Sequence, residues 1–348
     1  MRRRAFLRRT GAGALAFGGL TPLRALAVEA PAVRAVKPRR LRPGDRVGLV
    51  APASANFQSL DVELAQDVVR AFSFEPRLGA HVRDRHGYLA GRDEDRAADL
   101  NAFFGDASVK GVFAIRGGWG CARVLPLIDW ELLRRNPKVL VGYSDITALH
   151  CGLQARTGLV TFHAPTLLSD WPSFSADHFR RVVVEGERVK MANPPGEEDR
   201  LVQRQNRTRT ITPGTARGRL LGGNLTVLTA LMGSPYLPAF DGAILFLEDV
   251  NEDIYRVDRM LTQLALAGVL GKLRGFVFGS CHDCEPGEGY GSLTLEEVLD
   301  EHVRPLRVPA YEGAMIGHQD LQFTLPIGID VELDATAGTI EMLEPAVS

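Results

Sequence analysis

The stretch KVLVGYSDITALH, residues 138–150, decides how the rest of the chain is read. Val139, Leu140 and Val141 form a short apolar run rich in β-branched residues, the composition of a buried strand. Gly142 breaks the run, Tyr143 and Ser144 follow, and Asp145-Ile146-Thr147-Ala148-Leu149 resumes with apolar residues three apart. The spacing predicts strand, tight turn, helix, with Ser144 at the corner. Such a corner lifts a serine hydroxyl clear of the sheet edge and sets it beside unpaired backbone N–H groups at a helix start, where an oxyanion can be stabilised. The same residues also suit a helix N-cap, and the G-x-S-x-G pattern is broken because Ile146 stands where the second glycine would be. Taken alone, the segment leaves nucleophile and cap both open.

Working outward, Arg46–Ala51 reads as a first strand after the turn Leu41-Arg42-Pro43-Gly44-Asp45. Val62–Phe72 carries apolar residues at helical spacing. A helix is expected over Asp93–Phe104, with acidic residues in its first turn, and Val112–Ile115 is the next strand. Strands alternating with helices imply a parallel α/β sheet, whose reacting loops lie beyond the carboxyl ends of the strands. That rule singles out Arg116-Gly117-Gly118-Trp119-Gly120, directly after Ile115. Adjacent glycines let backbone approach a ligand and point N–H groups at it, although a structural turn explains them too.

The second half is read the same way. The region around Pro194-Pro195-Gly196 is irregular and suits an interdomain connection. Gly222-Gly223-Asn224 is expected to form a turn before a helix running through Leu231. Ala243–Leu247 is the strongest buried strand, with Glu248 and Asp249 at its C-terminal end, where α/β proteins place catalytic groups; an acid capping the helix that begins near Ile254 is the alternative. Of the eight histidines, His318 stands out. It lies in a glycine-flanked loop between a strand candidate at Val308–Tyr311 and a hairpin from Thr324 onward, and it is a candidate base if Ser144 is a nucleophile.

Arg2-Arg3-Arg4-Ala5-Phe6-Leu7, a Gly/Ala-rich run to Leu20 and Ala25-Leu26-Ala27 resemble a twin-arginine export signal over residues 1–27, with a run too short for a membrane span. Periplasmic or exported location is the expectation. The formal net charge is −1; residues 1–27 hold six arginines and no acid, so the remainder carries −7. This mildly acidic body argues against a nucleic-acid partner. Four cysteines are too few for a disulfide-built fold of this length. Cys281-His282-Asp283-Cys284 lacks a second ligand pair for zinc and reads as a loop without metal, with oxidation of the two cysteines open if the chain is exported.

Jointly, RGGWG at 116–120, VGYSDITALH at 141–150, LLGGNLTVL at 220–228, LFLEDVNEDIYRVDRML at 245–261 and IGH at 316–318 resemble the LD-carboxypeptidase family of serine peptidases, the muramoyltetrapeptide carboxypeptidase type, with microcin-C self-immunity peptidases as relatives. The resemblance runs from LRPGD at 41 to LPIGIDVELD at 325–334. It implies an α/β protein of two domains: an N-terminal Rossmann-like domain with a parallel sheet over 40–185, a connection over 186–213, and a C-terminal domain of mixed α/β-barrel-like character over 214–345. It also implies Ser144 as nucleophile, His318 as general base and acid, Glu248 orienting the histidine, and an oxyanion hole from the Gly118 and Asp145 backbone N–H groups. Trp119 stands where the family often has Tyr and bears on substrate preference. Arg116 is a candidate for the substrate's terminal carboxylate. No metal or cofactor is implied, a murein stem peptide is the expected substrate, and a homodimer is expected from the family. Two alternatives differ in substrate or class: a serine peptidase acting on a peptidyl-nucleotide antibiotic, and a periplasmic ligand-binding protein.

Overall fold

The computed structural model describes residues 35–196, 201–287 and 291–348, so the export signal lies outside the described residues. In the first half the strands are β1 Arg46–Val50, β2 Glu75–Leu78, β3 Val109–Ala114, β4 Val139–Gly142 and β5 Thr161–His163. In the second they are β6 Lys190–Ala192, β7 Arg209–Thr212, β8 Thr215–Asn224, β9 Ile244–Val250, β10 Gly275–His282, β11 Ala310–Glu312, β12 Leu325–Ile327, β13 Asp330–Asp334 and β14 Thr339–Met342.

The first sheet has the order β12-β5-β4-β3-β1-β2, parallel from β2 to β5. Its central strands are mostly apolar because both faces are covered: Val47, Leu49, Val112, Phe113, Val139 and Leu140 are all buried, with Arg46 and Lys110 exposed near the strand starts. Helices Ser59–Ala71, Asp93–Gly105 and Thr147–Thr157 connect the strands. The order 2-1-3-4-5 is the flavodoxin-type variant of a doubly wound sheet, with its switch point between β1 and β3. Loops leaving those two strands, 51–58 and 115–120, therefore face each other across a crevice.

The second sheet has the order β6-β14-β13-β8-β9-β10-β11-β7. Strands β8 to β11 are parallel and the outer strands antiparallel. Its two ends do not pair with each other, so the mixed α/β character expected for this half holds, but the sheet is open and does not close into a barrel. The region 186–213 does more than connect, since it supplies both edge strands, β6 and β7. The hairpin expected from Thr324 is β13–β14, whereas β12 runs antiparallel to β5 and so joins the first sheet. The chain thus crosses back, and both sheets lie in one compact unit.

Gly222 and Gly223 are not a turn. They are the last residues of β8 before Asn224, which caps helix Leu225–Ala230 with its side chain accepting from the Val227 N–H. Gly223 packs against Thr147, and the Asn224 N–H donates to Thr147 Oγ1 at 2.9 Å. The second sheet is docked by this bond onto the start of the helix that follows Ser144.

Candidate active site

The corner predicted at Ser144 is present. Strand β4 ends at Gly142, Ser144 opens a short 3-10 turn over Ser144–Ile146, and the helix starts at Thr147. Ser144 has φ 62°, a left-handed backbone that serine rarely adopts and that persists only where the surroundings impose it. Tyr143 stands at the cap of the 3-10 turn and Ile146 at that of the helix, so Ser144 occupies neither N-cap position. His150, on the same helix and fully buried, lies with Nε2 2.9 Å from the Gly142 carbonyl; burial lowers its pKa to about 4, so the ring is neutral and its Nε2–H donates there.

Glu248 and Asp249 are adjacent on β9, and alternation along a strand sends them to opposite faces. Asp249 accepts from Asn224 Nδ2, Thr226 N, Thr226 Oγ1 and its neighbour Val250 N, each at 2.9 Å. Burial and the adjacent Glu248 charge raise its pKa to about 6. It is the acid that organises a helix start, although the helix is Leu225–Ala230 and not the one beginning at Ile254. Glu248 is fully buried and its Oε2 lies 2.7 Å from His318 Nδ1. A carboxylate only accepts, so Nδ1 carries the proton and Nε2 is left as an acceptor. Gly317 makes this approach possible: with φ 100° and no side chain it lets the loop pass where a Cβ would lie 2.5 Å from Glu248 Oε2.

Ser144 and His318 line one cavity of about 340 Å³, together with Arg116, Gly117, Gly118 and Tyr143. No hydrogen bond joins the serine hydroxyl to the imidazole among those of the described residues, and both groups face the same space. The Tyr143 ring lies 4.8 Å from the His318 ring, centroid to centroid. Behind it His163 is fully enclosed, and burial, helped by His150 and His318, holds its pKa well below the ordinary range. His318 is therefore the imidazole that shares the cavity with the serine.

The profile of the LD-carboxypeptidase N-terminal domain matches residues 47–164, and that of the LD-carboxypeptidase C-terminal domain matches 217–333. The chain belongs to the LD-carboxypeptidase family. It is 36% identical over 318 residues to a Bacillus subtilis protein named "probable murein peptide carboxypeptidase", covering 90% of this chain and 95% of that one. It is 32% identical over 303 residues to the murein tetrapeptide carboxypeptidase of Pseudomonas aeruginosa, covering 81% and 91%. Among solved structures, the microcin C7 self-immunity protein MccF without ligand superposes with a TM-score of 0.81 at 25% identity, over 90% of this chain and all of that one. This LD-carboxypeptidase is a serine-type enzyme that removes residues from the carboxyl end of peptides.

The remaining residues singled out from sequence fall as follows. Gly118 lies on the cavity wall, and the Asp145 N–H sits in the first turn of a 3-10 helix, where no intrahelical acceptor exists. Arg116 lines the cavity, with Nη1 donating to the Ala55 carbonyl at 3.3 Å. Trp119, a candidate for substrate contact, is about half exposed and is not among the residues that line the cavity. Sequence reading missed the cavity wall formed by Thr166, Ser169, Asp170 and Trp171 and by Gln319, Asp320 and Gln322. The first four follow β5, so the rule that sites lie beyond strand ends was a usable signal for them. Cys281 and Cys284 form a disulfide at the end of β10.

Proposed function

We propose that this LD-carboxypeptidase releases terminal D-alanine from murein tetrapeptides by hydrolysing the bond between the L-centre of the third residue and D-alanine. The observation that carries the reading is the strained Ser144 corner and the Glu248–His318 pair facing one cavity. Greater identity to relatives named for murein peptides than to the microcin C7 self-immunity protein, which is 28% identical, supports this substrate class over a peptidyl-nucleotide.

In this mechanism His318 Nε2 takes the Ser144 proton as Oγ attacks the scissile carbonyl carbon. Glu248 holds the ring in the required tautomer and stabilises the imidazolium. Backbone N–H groups of Gly118 and Asp145 receive the tetrahedral oxyanion. On collapse His318 returns its proton to the departing D-alanine amine, leaving an acyl-serine ester. Water, deprotonated by the same imidazole, then hydrolyses that ester. Arg116 is the cation offered to the terminal carboxylate, as a planar fork suited to it.

The test is D-alanine release from a tetrapeptide ending in D-alanine, with a pentapeptide ending in D-Ala-D-Ala as control. Tetrapeptide cleavage that is lost in a folded Ser144→Ala protein is expected. Preference for the pentapeptide would remove the substrate assignment, and near-normal release by Ser144→Ala would remove the mechanism.

We also propose that the enzyme acts outside the cytoplasm. Support comes from the twin-arginine pattern at Arg3-Arg4 and from the Cys281–Cys284 disulfide, a bond that persists in oxidising compartments. Replacing Arg3 and Arg4 with Lys should leave uncleaved precursor in the cytoplasm; unchanged processing would count against the route.

A further inference from the structure

The crevice between the loops after β1 and β3 contains a set of contacts that the proposed chemistry does not by itself require. Ser54, on the first loop, meets the second loop twice. Its N–H donates to the Gly117 carbonyl at 3.4 Å, and its Oγ accepts from the Trp119 N–H at 3.1 Å. These groups belong to the two peptide planes on either side of the Gly118 Cα. Because a trans peptide points its C=O and N–H in opposite directions, drawing the Gly117 carbonyl toward Ser54 turns the Gly118 N–H away from Ser54, and Gly117 and Gly118 both line the cavity. Gly118 has φ 111°, and a Cβ there would lie 2.2 Å from Ser54 Oγ, so the grip requires glycine.

The far end of the same loop is held by Asp145. Its carboxylate is buried, and Oδ2 accepts from the Cys121 N–H at 2.7 Å. The Asp145 side chain therefore fixes the loop that carries Gly118, while its own backbone N–H stands in the first turn of the 3-10 helix that Ser144 opens. Buried Arg96 braces both loops, donating to the Pro52 carbonyl and, at 3.0 Å, to the Gly120 carbonyl. Arg96 is in turn paired with Asp93, which also holds Arg123 at 2.7 Å.

We infer that Ser54 and the Asp145 side chain are positioning residues that set the spacing and direction of the two oxyanion donors, Gly118 N–H and Asp145 N–H. This rests on the reading of Ser144 as nucleophile. Donors aimed in advance at the developing charge act in the transition state and add little to ground-state binding. Loss of a positioning contact should therefore lower kcat and spare KM.

The experiment compares Ser54→Ala and Asp145→Asn with the parent enzyme. Two readouts are taken: the kcat and KM split for D-alanine release, and inhibition by a peptide boronic acid, whose boron takes the Ser144 oxygen to form a tetrahedral anion. Ser54→Ala removes one acceptor at a partly exposed position and keeps the fold within reach if Asp145→Asn does not fold. Removing an oxyanion donor outright costs about 10²–10³-fold, so misaiming one should cost roughly 10- to 100-fold in kcat with KM within about twofold. Boronate affinity should weaken by the same factor. Unchanged kcat in folded Ser54→Ala, or a rise in KM with kcat kept, would overturn the inference while inactive Ser144→Ala left the nucleophile standing. Turnover that survives Ser144→Ala would instead overturn the reading on which it rests.

Discussion

Ser144 and His318 reach the same cavity by opposite means. The pose of Ser144 is set by near neighbours in the chain: Gly142 ends the strand, the residue itself takes φ 62°, and His150, eight residues from Gly142, holds that glycine's carbonyl. His318 is held from a distance. Glu248 is seventy residues away, the Ile316 carbonyl accepts from both the N–H and Oγ of Ser280, and the Met315 N–H donates to Asn193 Oδ1, 122 residues earlier. A nucleophile fixed by local backbone geometry needs little of the second sheet, whereas a base fixed by long-range bonds exists only once that sheet is assembled.

The strongest way to break this comparison is to remove one partner at a time. Ser144→Ala and His318→Ala should each lower turnover by several decades, and the double variant should be scarcely worse, because the two act as a unit; a serine protease series sets the scale at roughly 10⁶. Glu248→Gln should lose less, on the order of 10⁴, because the amide holds the wrong tautomer while the ring stays present. Steady-state rates on D-alanine release, with thermal midpoints shown unchanged, decide it. Additive losses in the double variant would mean that serine and histidine do not share one proton transfer.

The same contrast explains what could be read before the fold was known. The strand–turn–helix from Val139 was legible because a β-branched run stopped by glycine is a local signal, and the strands at 46–50 and 244–247 were legible as short apolar runs, although the second runs on through Glu248 and Asp249 to Val250. Gly222 and Gly223 were misread because paired glycines usually mark turns, whereas here they let β8 press against Phe246 and Thr147, which lie on other elements. Strand β12 joining the first sheet, and the open edges of the second, depend on pairings that no local pattern records. From the residues alone Glu248 and Asp249 were not separable, because the face each occupies follows from alternation only after one neighbour is placed; the family resemblance pointed to Glu248. Ser54 was missed because its loop becomes interesting only when β1 and β3 are known to be adjacent.

A smaller effect sharpens the comparison through pH. His178, on helix Ser173–Phe179, packs against Phe174 and Phe323, with ring centroids 4.8 and 5.1 Å away, and the Phe323 N–H closes the His318 loop by donating to the Met315 carbonyl. Burial, with nearby Arg181 adding to it, lowers the His178 pKa to about 4. A folded pKa below the ordinary 6.5 means that the unfolded chain binds the proton more tightly, so this stabilisation is complete above 6.5 and is lost as pH falls toward 4. At 1.36 kcal/mol per pKa unit the loss on going from pH 7 to 5 is about 2 kcal/mol for this residue. His150 adds a parallel loss beneath the serine corner, while Asp249, raised to about 6, acts in the opposite direction, gaining stability as it protonates. Subtracting the parent's acid slope from that of His178→Phe removes both of these contributions. Urea unfolding at pH 7 and pH 5 should show the variant losing about 2 kcal/mol less than the parent over that interval, with kcat at pH 7 little changed. Equal acid slopes would show that His178 is not held neutral by its aromatic seat, and that the loop carrying the base has no acid-sensitive support of its own.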